Sequence, residues 1–312
     1  MGALPDVSVV VLAGCTASGK SEVALELAER LDGEIVSVDS MQVYRGMDIG
    51  TAKPSPEERA RVPHHLLDVV DPRESFDVAR FVELAREVLA DLARRGKPAI
   101  LCGGTGLYFK ALAQGLGEAP APDPRLRAEL EATPLADLLR ELALRDPATY
   151  ARIDRRNPRR VIRAVEVIRL TGQPFSDQRA RWSLDAWPAH WQGRMFGLQR
   201  TPEDLRQRIE ARVDRMFQAG LVEETRRLLD QGVSPRSTAL QALGYRQVLE
   251  YLEGRRSLAE TVALVKLRTR QFAKRQRTWF RGQMPLRWIN VPASATPSEI
   301  ADRILTELRR EQ

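Results

Sequence analysis

Cysteine is almost missing from this 312-residue chain: there are two, and they form no CxxC pair. That excludes a zinc ribbon and a disulfide scaffold. Long apolar runs are missing too, none approaching the roughly 20 residues that a bilayer-spanning helix needs. No basic segment precedes the first apolar stretch, so no signal peptide is expected and a reduced, cytoplasmic setting follows. Lysine is scarce, six of the 49 basic residues, the other 43 being arginine; a genome favouring arginine codons explains that bias without any function. No internal repeat is visible. What is present is an ordinary globular balance, 43% hydrophobic and 29% charged residues. The length exceeds one average domain, so two domains or one enlarged domain is expected. A core of that size needs neither disulfides nor a structural metal. The 49 basic residues outnumber 42 acidic ones, a formal charge of +7, which suits a polyanionic partner.

Residues 7–12 (VSVVVL) form a β-branched apolar run and read as a buried parallel strand. In the following segment Val23, Ala24, Leu27, Ala28 and Leu31 recur at helical spacing, with Gly33 as the stop. Residues 34–39 read as a second strand, 76–95 as a helix and 98–104 (PAILCGG) as a third buried strand. This alternation predicts an α/β fold, a parallel sheet flanked by helices with ligands at the carboxyl ends of its strands. The pattern breaks after Tyr108, and the Gly- and Pro-rich stretch 115–124 reads as a boundary. From there to about residue 180 everything is helical, including a helix opened by Asn157-Pro158 and closed by Gly172. Residues 182–191 carry three tryptophans and read as a connection. Residues 195–200 are a strand candidate, and 202–219, 220–231, 241–253 and 257–281 are helical. The expected organisation is a core domain of residues 1–118 and 195–312, with an all-helical insertion over 119–194.

GCTASGKS, residues 14–21, matches G-x-x-x-x-G-K-[ST] in full, with a strand before it and a helix after it. In such a loop Gly14, Cys15, Thr16, Ala17, Ser18 and Gly19 turn the chain so that N–H groups converge on phosphate oxygens. The positive end of the next helix adds to this. Lys20 supplies an ammonium for terminal phosphate oxygens and Ser21 a hydroxyl for Mg²⁺. A typical P-loop NTPase also has an apolar strand ending in an aspartate near the metal. The 98–102 strand ends in Cys102, Gly103 and Gly104 and offers none. The 34–39 strand ends in Asp39, which reads as a metal-side ligand, a general base, or a turn-forming residue.

The loop is followed by VDSMQVYRGMDIGTAKP (38–54), GGTGLY (103–108), NPRRVIRAVE (157–166), RIEARVDRM (208–216), LGYRQ (243–247) and TRQFAKRQRTW (269–279). In that order, over essentially the whole chain, these segments resemble the bacterial tRNA dimethylallyltransferase (tRNA isopentenyltransferase) family. The resemblance implies a P-loop core with a helical insertion that contacts tRNA, and a central channel. It also implies transfer of a dimethylallyl group from dimethylallyl diphosphate to N6 of an adenosine. That adenosine is 3′-adjacent to the anticodon in tRNAs reading codons that begin with U. The family loop usually reads GPTASGKT. Cys15 and Ser21 depart from it within P-loop tolerance, because backbone N–H groups carry the binding and either hydroxyl reaches a metal. Cys15 reads as a small buried residue rather than a redox group. This sequence has no zinc finger of the kind eukaryotic relatives carry, which fits the bacterial type; a monomer is expected.

Adenine N6 is a poor nucleophile because its lone pair is delocalised into the ring. The enzyme must therefore neutralise a departing diphosphate and take an N6 proton. The loop amides, Lys20 and Ser21-bound Mg²⁺ answer the first need. By resemblance, Asp39 abstracts the proton and contacts the tRNA, Arg212 contacts the diphosphate, Thr16 adds a further diphosphate contact and Thr105 contacts the target nucleotide. The same resemblance assigns tRNA contact to Ser40, Met41 and Gln42, to Arg127, to Arg159, Arg160, Val161, Ile162 and Arg163, and to Gln241, Ala242, Leu243, Gly244, Tyr245 and Arg246. Charge agrees: residues 152–163 hold six arginines against Asp154, and 262–282 hold seven bases and no acid. Runs this one-sided fit phosphate contact better than solvated faces. A stacked base is out of reach of an in-line attack, so extrusion of the adenine is expected. Three rivals remain open. An adenylate isopentenyltransferase acting on free AMP would have little insertion. A P-loop small-molecule kinase would need an acceptor site that nothing after the loop suggests. A non-catalytic RNA-binding P-loop protein would not need Asp39.

Overall fold

The computed structural model describes residues 4–180 and 182–310. In chain order the elements are β1 (Val9–Ala13), α1 (Lys20–Leu31), β2 (Glu34–Val38), α2 (Pro56–Arg61), β3 (His64–His65), α3 (Val78–Arg95), β4 (Ala99–Gly103) and α4 (Gly106–Gln114). Five helices follow: α5 (Pro124–Ala132), α6 (Leu135–Arg145), α7 (Pro147–Arg152), α8 (Pro158–Thr171) and α9 (Phe175–Gln178). After a 3₁₀ turn at Ala189–Trp191 come β5 (Met195–Gln199), α10 (Pro202–Gln218), α11 (Leu221–Asp230), α12 (Tyr245–Leu252), α13 (Leu258–Gln283), β6 (Arg287–Asn290) and α14 (Pro297–Arg309).

The strands form one parallel sheet in the order β3-β2-β4-β1-β5-β6. All residues of β1, β2 and β4 are buried, which is why β1 and β4 read as unbroken runs without charge and not as alternating strands; β2 also buries Glu34 and Ser37. Val10, Leu12, Ile100 and Phe196 share a core with Val23 and Leu27 of α1 and with Ile300 and Ile304 of α14. β1 lies between β4 and β5. The loop leaving its carboxyl end therefore emerges mid-sheet, where open parallel sheets bind ligands. The β2–β4 register sets Val38 opposite Gly103, so Asp39 and Gly104 leave neighbouring strands together.

Some local expectations change. Asp32, with φ 50°, is the left-handed residue that closes α1. Gly33 is needed for another reason: a Cβ there would lie 2.8 Å from the Pro98 carbonyl oxygen. The chain stays helical past Tyr108 through α4, and the helix expected from residue 241 begins only at Tyr245. β6 and α14 are additions to the sequence reading, although Thr296 and Glu299 form a capping box with Pro297 in the first turn, a helix-start signal.

The chain divides into two compact units, Met1–Gln114 with Leu184–Gln312, and Gly115–Ser183. The helical unit thus starts and ends earlier than the expected 119–194. Residues 184–194 fall in the first unit because Trp187 and Trp191 are buried and the Val11 N–H donates to the Arg194 carbonyl at 2.9 Å. Within the helical unit α5, α6 and α8 pack around Leu130, Leu138, Leu142, Val161 and Val165. Glu166 is fully buried there and is ion-paired with Arg127 and, at 2.6 Å, with Arg163; a buried carboxylate requires such partners. Among the described residues no helix is long and apolar enough to cross a membrane.

Candidate active site

Between β1 and α1 the chain turns through Ala17 and Gly19 in the left-handed region, φ 62° and 93°, and presents the start of α1 at the loop. The loop is braced from behind. Buried Arg200 donates through Nε to the Ser18 carbonyl (2.8 Å) and through Nη1 to Asp204 (2.8 Å) and the Pro292 carbonyl. The Thr16 N–H donates to Oε1 of Gln276 at 2.9 Å, and Lys20 Nζ lies 3.4 Å from the Cys15 carbonyl. Ser18 is buried, its hydroxyl without a hydrogen-bond partner among the described residues. Cys15 and Cys102 are free and buried. Burial raises both thiols, Cys102 to about 12, so each is a neutral packing group and not a thiolate.

A cavity of about 320 Å³ opens beside this loop. Thr16, Lys20 and Ser21 form one wall. Asp39, Ser40, Met41 and Gln42 enter from the end of β2, and Thr105 from the end of β4. Arg212 comes from α10, and Ala242, Leu243 and Gly244 from the segment before α12. Gly14, Cys15 and Ser18 belong to the body of the loop. Ala17 and Gly19 face a second hollow of about 980 Å³, onto which Lys20, Ser21 and Arg212 also open. Gln241 turns away, its side-chain amide donating to the Pro235 carbonyl at 2.8 Å, and Arg246 is exposed on α12.

Asp39 makes a turn and faces the cavity at once. Its Oδ1 accepts the N–H groups of Met41 (2.8 Å) and Gln42 (3.3 Å), which leaves Oδ2 without a hydrogen bond among the described residues. The Thr105 hydroxyl accepts the Ser40 N–H at 3.2 Å and so ties the two strand ends together. They meet closely because position 103 is glycine: a Cβ there would sit 2.0 Å from the Val38 carbonyl oxygen. Arg212 is half-buried and forms no ion pair among the described residues. Burial lowers its pKa, opposed by the carboxylates of Asp39 and Glu22, yet a guanidinium stays charged. It is a cation available to an anionic ligand. The oxygens of Ser21 and Asp39 on this cavity suit Mg²⁺, which takes oxygen ligands and completes its shell with water and substrate phosphates.

Three further residues shape the site beyond those expected from the sequence, although two of them, Lys53 and Gln276, lie in the segments that carry the family resemblance. Lys53 is buried and donates to the Tyr44 carbonyl, to Asp48 (2.7 Å) and to Asp68 (2.5 Å). Glu224 of α11 accepts the backbone N–H groups of Asp48, Ile49 and Gly50, together with the Tyr245 hydroxyl at 2.6 Å. These contacts hold the irregular 39–55 segment in place. Tyr245, expected at the tRNA, is fully buried in this network instead. The third residue is Gln276.

The basic runs are partly answered by acids. In the helical unit Arg159 and Arg160 are exposed. Val161 and Ile162 lie in its core, and Arg127 and Arg163 hold Glu166, so these four side chains serve the fold of that unit. On α13, Lys266 pairs with Asp214 (2.6 Å) and Arg270 with Glu210 (2.7 Å). Arg268, Lys274, Arg275 and Arg281 are exposed, with no acidic partner among the described residues.

The sequence and fold match those of known proteins. Residues 42–283 match the family described as IPP transferase, and residues 7–71 match isopentenyl transferase. A tRNA dimethylallyltransferase from Geobacter metallireducens is 49% identical over 288 residues, covering 91% of this chain and 93% of that protein. The tRNA dimethylallyltransferase 1 of Citrifermentans bemidjiense is 46% identical over 288 residues, covering 92% and 94%. The crystal structure of a full-length tRNA isopentenylpyrophosphate transferase from Bacillus halodurans matches with a TM-score of 0.69 at 40% identity, over 97% of both chains. A eukaryotic dimethylallyltransferase acting on tRNA matches with a TM-score of 0.79 at 26% identity, over 98% of this chain and 80% of that one.

Proposed function

The chain belongs to the tRNA dimethylallyltransferase family, and from that premise we propose that it makes N6-dimethylallyladenosine in tRNA. The donor is dimethylallyl diphosphate, and the acceptor is the adenosine 3′-adjacent to the anticodon in tRNAs reading U-starting codons. The observation that carries this reading is a single cavity onto which Lys20, Ser21, Arg212, Asp39 and Thr105 all open. The cations suit a departing diphosphate, and the carboxylate suits an amine proton.

In the reaction N6 attacks C1 of the dimethylallyl group. The N6–C1 bond forms, the C1–O bond breaks with its electron pair leaving on diphosphate, and the N6 proton passes to Asp39. Loop N–H groups, Lys20 and Arg212 stabilise the charge that grows on the leaving oxygens. Mg²⁺, which the Ser21 hydroxyl would hold, would supply further neutralisation of the leaving group. Leu25, Val213, Met216, Leu243 and Phe272 also line the cavity and give the hydrocarbon tail an apolar surface that keeps water from the allylic carbon. Exposed arginines of α8 and exposed bases of α13 contact phosphates of the anticodon stem-loop. The enzyme acts as a cytoplasmic monomer without a membrane.

The test is incubation with dimethylallyl diphosphate, Mg²⁺ and either unmodified tRNA or AMP. Prenylated tRNA is expected. Prenylation of AMP but not of tRNA would overturn the reading in favour of an adenylate isopentenyltransferase.

A further inference from the structure

One side chain joins the phosphate loop to the turn after β4. Gln276 of α13 accepts the Thr16 N–H on Oε1 at 2.9 Å and donates from Nε2 to the Gly104 carbonyl at 2.9 Å. It is partly buried and opens onto the same cavity as Lys20 and Asp39. The neighbour of Gly104 is Thr105, whose hydroxyl accepts the N–H of Ser40, the residue after Asp39. A path of hydrogen bonds and short backbone steps therefore runs from the loop that receives the diphosphate to the residue that receives the proton.

The chemistry of the path calls for an amide. Glutamate at the same length accepts but, ionised, does not donate; lysine and arginine donate but do not accept. The helix that carries Gln276 is itself fixed against both partners. Ala273 packs with Cys15 of the loop, and Trp279 lies so close to Gly106 that a Cβ there would meet its ring at 2.1 Å. Gln276 is thus a cross-brace seated on a rigid element, the arrangement that holds a site to sub-ångström tolerance.

We propose that Gln276 is a positioning residue that sets the separation between the leaving diphosphate and the attacking N6, by spacing the P-loop from the Gly104–Thr105 turn. This rests on the reaction given above. An in-line displacement needs its reacting atoms at about 3 Å, and a misplacement of about 1 Å costs roughly 10²-fold in rate. Binding comes from other groups, namely the loop amides other than that of Thr16, which Gln276 holds, together with Lys20, Arg212 and the basic faces. The loss therefore falls on kcat and spares affinity.

The experiment compares Gln276→Met, which keeps the volume and loses both hydrogen bonds, with Gln276→Glu, which keeps the Thr16 arm and loses the Gly104 arm. Melting curves confirm that each variant is folded. Both are expected to lose roughly 10²-fold in kcat, while in Gln276→Met, which adds no charge, KM for each substrate and the Kd of pyrophosphate change little. Adding Thr105→Ala to Gln276→Met should cost less than the product of the separate losses, because both cut one path. A Gln276→Glu enzyme with wild-type kcat would overturn the proposal, since the side chain would then only support the P-loop. A raised KM for dimethylallyl diphosphate at unchanged kcat in Gln276→Met would overturn it as well, in favour of direct substrate contact. Absence of tRNA prenylation by the wild-type enzyme would instead sink the reaction itself, so the two failures are distinguishable.

Discussion

Replacing Asp39 with asparagine separates the two roles of its carboxylate. Oδ1 accepts the N–H groups of Met41 and Gln42, and an asparagine carbonyl accepts them in the same way. The turn survives and the base is lost. A positioned general base contributes about 10²–10⁴ in rate, or roughly 3–5 kcal/mol of barrier at about 1.4 kcal/mol per decade. Asp39→Ala loses the base and both accepted hydrogen bonds, each a net contribution of roughly 0.5–1.5 kcal/mol. The alanine variant should therefore be about 1–3 kcal/mol less stable than the asparagine variant and no slower. Single-turnover prenylation at saturating substrate reads the first quantity and urea unfolding the second. Binding of tRNA should persist in both, because the basic faces supply it. An asparagine variant with the wild-type single-turnover rate would refute the general-base role. Equal unfolding midpoints for the two variants would refute the account of the turn.

Glu224→Ala strands three part-buried N–H groups and the buried Tyr245 hydroxyl; at about 1–3 kcal/mol for the buried group and less for each of the others, a loss of roughly 3 kcal/mol is expected in urea unfolding, and a loss under about 1 kcal/mol would mean that Glu224 does not anchor the 48–50 segment. Arg159→Ala and Arg275→Ala should each flatten the salt dependence of tRNA affinity by about one unit of slope. Arg127→Ala should instead lower the stability of the helical unit and leave that slope alone, because its guanidinium belongs to Glu166. The reverse pattern would exchange the assignments. Hydrogen bonding from Arg95, opposed by burial and aided by His65, holds the Glu34 carboxyl at about 2, below its ordinary 4.5. That stabilisation is present above about pH 4.5 and is lost as pH falls toward 2. The melting temperature of Glu34→Gln should fall less steeply than wild type across this window, and parallel curves would remove Glu34 from the acid limb.

The sheet is legible in the sequence where burial on both faces leaves an unbroken run without charge, as in β1 and β4, and in β2 from its β-branched Ile35, Val36 and Val38. β3 has two residues and β6 has four, too few for any period to register. The P-loop and Asp39 are legible because a motif and a strand end are local features. Gln276, Arg200 and Glu224 are not, since their partners lie 260, 182 and 174 residues away along the chain, and a lone glutamine, arginine or glutamate has no pattern of its own. The basic runs illustrate the converse error. Residues 262–282 contain seven bases and no acid, but the acids that answer Lys266 and Arg270 are on α10. Tyr245 illustrates a related point: within LGYRQ nothing marks its side chain as buried, and only the fold reveals Glu224 beneath it.

The missing acid at the end of β4 follows from the same geometry. A P-loop enzyme that cleaves a nucleoside triphosphate places an aspartate on a neighbouring strand to help hold the metal. Here β4 lies between β1 and β2, and its last residue, Gly103, stands opposite Val38 with no room for a Cβ. A side chain at 103 would push the two strand ends apart. Glycine lets the Gly104–Thr105 turn close on Ser40, and the carboxylate moves one strand over, to Asp39. The acid thereby leaves the strand beside the phosphate loop and comes to lie next to a threonine on the cavity wall. That shift suits a reaction in which the phosphate group departs intact and the difficult proton is on the other substrate. It also explains why the brace between the halves of the site comes from α13. Position 103 has no side chain to offer, and Gln276 reaches the Gly104 carbonyl from outside the sheet.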